Sequence, residues 1–174
     1  VVSAVAVWLV SAVLHMALKY HRADYKPLAN EDAVAAALRG TAPGIYPIPH
    51  CVDPGEFKDP AVRKKFEDGP VGLLAILPSG APSLGKNLGL WFGFCLLVSF
   101  VTGYVDRHTL APTSELLEVL RISTTVSFVG YGFGAIQSAI WRGEPWANVF
   151  RSLLDAAIYA LVTGFVFRWL WPAA

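Results

Sequence analysis

The chain has 174 residues, of which 55% are hydrophobic and only 16% charged, with a net charge of +1. A mean hydropathy of +0.49 lies outside the composition of ordinary soluble domains. A near-neutral balance without a concentrated basic patch gives no sign of a nucleic-acid partner, and none is expected; the length suits one compact unit or a membrane bundle with one modest extramembrane segment.

Residues 1–18 form a first apolar stretch rich in Val, Ala and Leu and interrupted by Ser3, Ser11 and His15. About 18 apolar residues just suffice to cross the hydrocarbon core of a bilayer. The chain opens on Val1-Val2 rather than methionine, as expected if the native N-terminus lies upstream. No small-residue cleavage site follows; Lys19, Tyr20, His21 and Arg22 come directly after. An uncleaved transmembrane helix therefore fits better than a signal peptide.

Residues 19–84 carry most of the charge, with acids and bases interspersed, and read as a small solvated α/β segment. Asn30 is placed to cap a short helix that opens with Glu31 and Asp32 and stops at Gly40. Asp59-Pro60 announces a second helix, ending near Gly69-Pro70. The prolines of Gly44–Pro49 restrict that piece to an edge strand or an irregular extended segment. Val71–Leu77 has strand length and meets a turn at Pro78-Ser79-Gly80. Such a segment is too small to build a large core and is expected to lean on a membrane bundle.

The longest uniformly apolar stretch starts at Gly85, with a helix expected over about 86–105. Gly85, Gly89 and Gly93 share one helical stripe, a surface that lets a second helix approach closely. A polar connection is expected from Asp106 to Pro112. Two further helices follow over about 115–141 and 146–171, separated by Arg142-Gly143-Glu144-Pro145. Trp141, Trp146, Trp169 and Trp171 mark their ends, as befits amphipathic rings at headgroup level. The predicted fold is thus an all-α transmembrane bundle of four helices, with the α/β segment between helices 1 and 2 and residues 85–174 forming helices 2–4. Basic residues near the span ends favour a cytoplasmic position for the α/β segment.

Ser123, Ser127, Gly130, Gly134 and Gln137 recur at three- and four-residue steps on the third long helix. Gly130 and Gly134 are expected to seat against the glycine stripe of the preceding helix. Asp155 lies nine residues beyond Trp146, about 13 Å along a helix. A carboxylate at that depth is costly unless it is paired, hydrogen-bonded or protonated. Helix ends place His15, Lys86 and Gln137 in the same layer, so these three with Asp155 are expected to form an intramembrane polar cluster, with Arg151 an alternative partner for Asp155. Glu118 and Arg168 are expected to form an interfacial ion pair.

His50, Cys51 and Asp53 (PHCVD) form a compact set of candidate metal ligands, although zinc sites usually show two spaced ligand pairs. Cys51 and Cys95 are not expected to form a disulfide, because Cys95 lies inside an apolar span. No phosphate-cradling glycine loop, G-x-S-x-G or H-E-x-x-H is present. No cofactor is implied.

One pattern is familiar: a first span ending in a His, then Glu31-Asp32-Ala33-Val34, Gly44-Ile45-Tyr46-Pro47-Ile48-Pro49 and Gly69-Pro70, then three more spans. It resembles a group of uncharacterised bacterial membrane proteins of similar length, which have four helices and no assigned function. The resemblance implies the architecture and a bacterial cytoplasmic (inner) membrane location, and brings no catalytic residues. The leading functional expectation is a non-enzymatic accessory or interaction subunit, with the lipid bilayer and other membrane subunits, or further copies of itself, as partners. A small proton-linked transporter or carrier using Asp155 and His15 is the alternative, and a metal-binding membrane protein is a third.

Overall fold

The computed structural model describes residues 1–172. In chain order it contains α1 (Val2–Met16), a 3-10 turn (Tyr20–Asp24), α2 (Glu31–Ala37), β1 (Gly44–Ile48), a second 3-10 turn (Pro54–Lys58), α3 (Pro60–Asp68), β2 (Gly72–Ile76), α4 (Leu84–Thr109), α5 (Leu116–Arg142) and α6 (Trp146–Leu170). The chain divides into two units: Val1–Tyr25 together with the chain from Ser83 onward, and Lys26–Pro82.

In the first unit, α4, α5 and α6 are long and apolar enough to cross a membrane. Helix α1 is apolar too, but has 15 residues. It extends about 22 Å at 1.5 Å per residue, short of a hydrocarbon core about 30 Å thick. Among the described residues, three helices are thus of spanning length, and α1 is a further apolar helix of 15 residues. The chain leaves α1 at Ala17 and winds into the 3-10 turn. The boundary between the units falls at Tyr25–Lys26 rather than at residue 19, so the Lys19–Asp24 stretch belongs with the helices.

Helix α1 packs on α4 and α6, and α5 packs on the same two helices. Ser3 Oγ donates to Ser99 Oγ at 3.0 Å, and Trp91 Nε1 donates to Ser11 Oγ at 2.8 Å. Eight residues forward on α1 thus match eight residues backward on α4, so the two helices run antiparallel. The buried face of α1 is Ser3, Ala4, Val7, Ser11 and Leu14, a three- and four-residue recurrence that lines one side of a helix. Ala4, Val7 and Leu14 join Cys95 and Tyr159 in the core, with Trp91 and Tyr131 packed against them.

Helix α4 outruns the expected helix, so Asp106 lies within it and not in a loop. Its side chain is fully buried, and Ser123 Oγ donates to Asp106 Oδ2 at 2.6 Å. Thr102 Oγ1 and Ser127 Oγ lie 3.0 Å apart one turn further in. These four residues form a polar seam between α4 and α5. Side-chain hydrogen bonds of this kind join helices where no hydrophobic gradient drives association.

The glycines that meet neighbouring helices are not those expected. A Cβ at Gly85, Gly89, Gly93 or Gly134 would meet nothing within 4 Å. The proposed seat between the α4 and α5 glycine stripes is thereby corrected, because those glycines face away from the other described helices. Gly130 does meet α4: a Cβ there would lie 3.1 Å from Val98 Cγ1. At Gly132 the neighbour is Ala156 Cβ at 3.1 Å, and at Gly164 the added atom would collide with Thr124 Oγ1 and lie 3.1 Å from the Leu120 carbonyl oxygen. The closest approach is thus between α5 and α6.

The second unit contains a two-stranded antiparallel sheet in which Gly44 pairs with Ile76, Tyr46 with Leu74 and Ile48 with Gly72. Pro47 sits opposite Leu73, which a two-stranded sheet tolerates because both strands are edges. Asp59 caps α3 by accepting from the Ala61 N–H at 2.8 Å, and Gly69 ends that helix at φ +65°. Asn30 flanks α2 but makes no side-chain capping bond. No residue of Lys26–Pro82 is buried. Both Cys51 and Cys95 are free thiols.

The glycine geometry makes a direct comparison possible. Gly164→Ala should destabilise the protein by about 1–3 kcal/mol, the usual cost of overpacking a tight contact. Gly89→Ala should be neutral or slightly stabilising, since Ala is the better helix former. Thermal unfolding in detergent checks this, and equal effects of the two substitutions would contradict the packing described.

Candidate functional site

The polar centre of the helical unit is built around Asp155, the tenth residue of α6, which is 5% exposed. The Tyr20 hydroxyl donates to Asp155 Oδ1. His21 Nε2 lies 2.7 Å from Asp155 Oδ2, and His15 Nε2 lies 3.7 Å from the same oxygen. The two imidazole rings stack at 4.6 Å, nearly parallel at 6°. Three residues on two elements thereby converge on one carboxylate.

The cluster continues outward from His21. His21 Nδ1 is 2.6 Å from Asp24 Oδ2, and Arg151 Nε donates to Asp24 Oδ1 at 2.5 Å. Arg151 Nη2 also donates to Asn148 Oδ1 at 2.7 Å, and Asn148 Nδ2 reaches the Asp24 main-chain carbonyl at 3.4 Å. The 3-10 turn is therefore tied to the first two turns of α6. His21 sits between two carboxylates, and an imidazolium, which donates from both nitrogens, satisfies both of them.

The charges tune one another. Burial by itself lowers the His21 pKa, but hydrogen bonds and charge attraction to Asp24 and Asp155 outweigh it and hold His21 above its ordinary 6.5. Burial likewise pushes Asp24 up, yet His21 and Arg151 overcome that and hold its carboxyl below the ordinary 3.8. Burial first, then the Asp155 hydrogen bond, raises the Tyr20 phenol, so Tyr20 stays a donor.

Of the four residues expected in the cluster, His15 and Asp155 are brought together. Lys86 and Gln137 are exposed, and the side-chain partners of Asp155 are Tyr20, His21 and His15. Lys86 lies in the first turn of α4, where its main-chain N–H donates to Ser83 Oγ. Arg151 serves Asp24 rather than Asp155. Glu118 and Arg168 are both exposed, and no ion pair joins them among the described residues. The expected interfacial pair is thus corrected.

His50, Cys51 and Asp53 do not assemble as ligands. The Asp53 carboxylate accepts from the Gly55 N–H at 2.7 Å, and Cys51 Sγ lies 3.6 Å from the Asp53 carbonyl. Partial burial and then the Glu56 carboxylate raise the Cys51 pKa, which keeps its sulfur a thiol and a poor ligand or nucleophile. Among the described residues, the His/Cys/Asp/Glu group whose ligand atoms converge is His15, His21 and Asp155, all within 4.8 Å of one another.

Tyr20, His21 and Asp24 were not anticipated as site residues, because they were assigned to the solvated segment. A usable signal existed: His21 and Asp24 are three apart, so even one turn of helix brings them together, directly beside an apolar span that contains His15. No family model, curated protein or solved structure matches this chain. The chemistry of the site therefore rests on its own geometry.

The pKa directions define a stability window. The contribution of charged His21 is full below 6.5 and is lost as pH rises through its raised native value. The contribution of Asp24 is full above 3.8 and is lost as pH falls through its lowered native value. The melting temperature in detergent should therefore be highest between these limits and decline on both sides. In His21→Gln the alkaline decline should shrink; superimposable profiles for the two proteins would refute the bridging role of His21.

Proposed function

We propose that this chain is a non-enzymatic accessory or interaction subunit of a membrane assembly, resident in a bacterial cytoplasmic membrane. The observation that carries this reading is the apolar surface left uncovered on Lys26–Pro82. This unit has two strands and two helices but no buried residue. Successive strand residues alternate between faces, so Ile45, Pro47, Leu73 and Ala75 share one face of the sheet. Ile45 is 63% exposed and Leu73 46%, and Val71 and Leu77 beside them are 63% and 78% exposed.

A sheet face this apolar is stable only when something covers it, and soluble monomers rarely expose a contiguous patch of the kind. The uncovered glycine row of α4 supports the same reading. Gly85, Gly89 and Gly93 let a helix of a neighbouring subunit, or of a second copy, approach more closely than larger side chains would.

Mild-detergent extraction from native membranes, followed by mass determination of the intact species, tests the proposal. The chain should migrate in an assembly of fixed stoichiometry, with other subunits or with itself. Leu73→Asp on the sheet face and Gly89→Leu on α4 should each reduce recovery of that assembly several-fold while leaving the chain folded. A monomeric wild-type chain, or an assembly indifferent to both substitutions, would overturn it.

A further inference from the structure

The cluster at the top of α6 has the construction of a metal centre. Both histidines turn Nε2 towards one oxygen, Asp155 Oδ2. Each uses Nδ1 elsewhere: His15 Nδ1 donates to the Ser11 carbonyl at 3.0 Å, and His21 Nδ1 to Asp24 Oδ2 at 2.6 Å. Metal-bound histidines characteristically hold their second nitrogen in this way, on a carbonyl or carboxylate that fixes the tautomer and turns the lone pair of the first nitrogen inward. The third group is oriented too, since Tyr20 donates to the other oxygen of Asp155. All three candidate ligands therefore have an outer partner already in place.

We propose that His15 Nε2, His21 Nε2 and Asp155 Oδ2 bind one divalent transition-metal ion of the zinc type. Two imidazoles and one carboxylate form a ligand set common to such ions. Ligands on a tetrahedral ion at about 2.0–2.2 Å lie about 3.4 Å from one another. The His15–Asp155 separation of 3.7 Å is close to that value. The His21–Asp155 separation of 2.7 Å must open by about 0.7 Å as the ion replaces the shared proton. That proton leaves for solvent, and no oxidation state changes.

Access is provided by a cleft of about 260 Å³ whose walls include His15, Met16, Lys19, His21, Arg22 and Tyr25. His15 stands at its edge, with a side chain 49% exposed. Three protein ligands leave one position of a tetrahedral ion free. Lys19 and Arg22 on the same walls make hydroxide or another small anion the fitting fourth ligand.

The experiment uses the full chain purified in detergent and stripped with a chelator, then titrated with Zn2+ against a chromophoric competitor, and separately with Co2+ to read coordination. One zinc per chain and an intense tetrahedral cobalt spectrum are expected. His15→Gln is the decisive variant, because a half-exposed ring can be replaced without unfolding the protein. It should weaken zinc more than about 100-fold, beyond the 10–100-fold typical of an outer-shell change. Asp24→Asn, which alters the outer partner of His21 and leaves all three ligands in place, should weaken zinc about 10–100-fold. Cys51→Ser and His50→Gln should change nothing. A wild-type chain that takes up no zinc, an octahedral cobalt spectrum, or a folded His15→Gln protein that binds like wild type would each overturn the proposal.

Discussion

A carboxylate on a predominantly apolar helix must find partners or lose its charge, and the helical unit is arranged around that requirement. Asp155 is 5% exposed on α6, a helix long and apolar enough to cross a membrane. An unpaired charge in such surroundings is costly. The chain meets the cost by winding Tyr20–Asp24, just after α1, into a 3-10 turn that delivers a phenol and an imidazole to the two carboxylate oxygens. Asp24 and Arg151 then close the charge balance around His21. The 3-10 turn after α1 and the buried carboxylate are thus one structural fact.

The remaining helix contacts follow membrane packing rules more than soluble ones. Small side chains and hydroxyls occupy the interfaces: Ser3 with Ser99, Thr102 with Ser127, Gly132 against Ala156 and Gly164 against the Leu120 turn. Large apolar side chains such as Leu90, Leu97, Phe100 and Trp169 point outward. In lipid this distribution is favourable, because close backbone approach and interhelical hydrogen bonds replace the hydrophobic gradient that drives folding in water. Asp106, buried against Ser123, is a second instance of a charged residue type placed inside and given a hydroxyl partner.

Much of the fold was legible because its signals are local. Helix character in α4, α5 and α6 follows from long, predominantly apolar stretches, and the Asp59-Pro60 start and Gly69 stop of α3 depend only on neighbouring backbone groups. The two strands were legible as short apolar runs between turn residues. The candidate site was only half legible. His15 and Asp155 were identified from their isolation within apolar stretches, whereas His21 and Tyr20 looked like ordinary juxtamembrane residues. Lys86 and Gln137 show the converse error: the right depth along a helix says nothing about which way the side chain faces.

Composition and periodicity by themselves determined that this is a mostly helical chain with long apolar helices, a small segment of short helices and extended pieces, and an acidic residue in need of partners. Those properties depend on hydrophobic run length and nearest-neighbour backbone chemistry, which a single sequence displays. Tertiary structure alone decided which glycines touch another helix, that Asp106 is interior, and that two histidines six residues apart meet on one carboxylate. Each of these depends on the rotation of one helix about its axis relative to another, or on where a helix breaks. A turn directly after a helix redirects every side chain that follows it, and no local pattern records that angle.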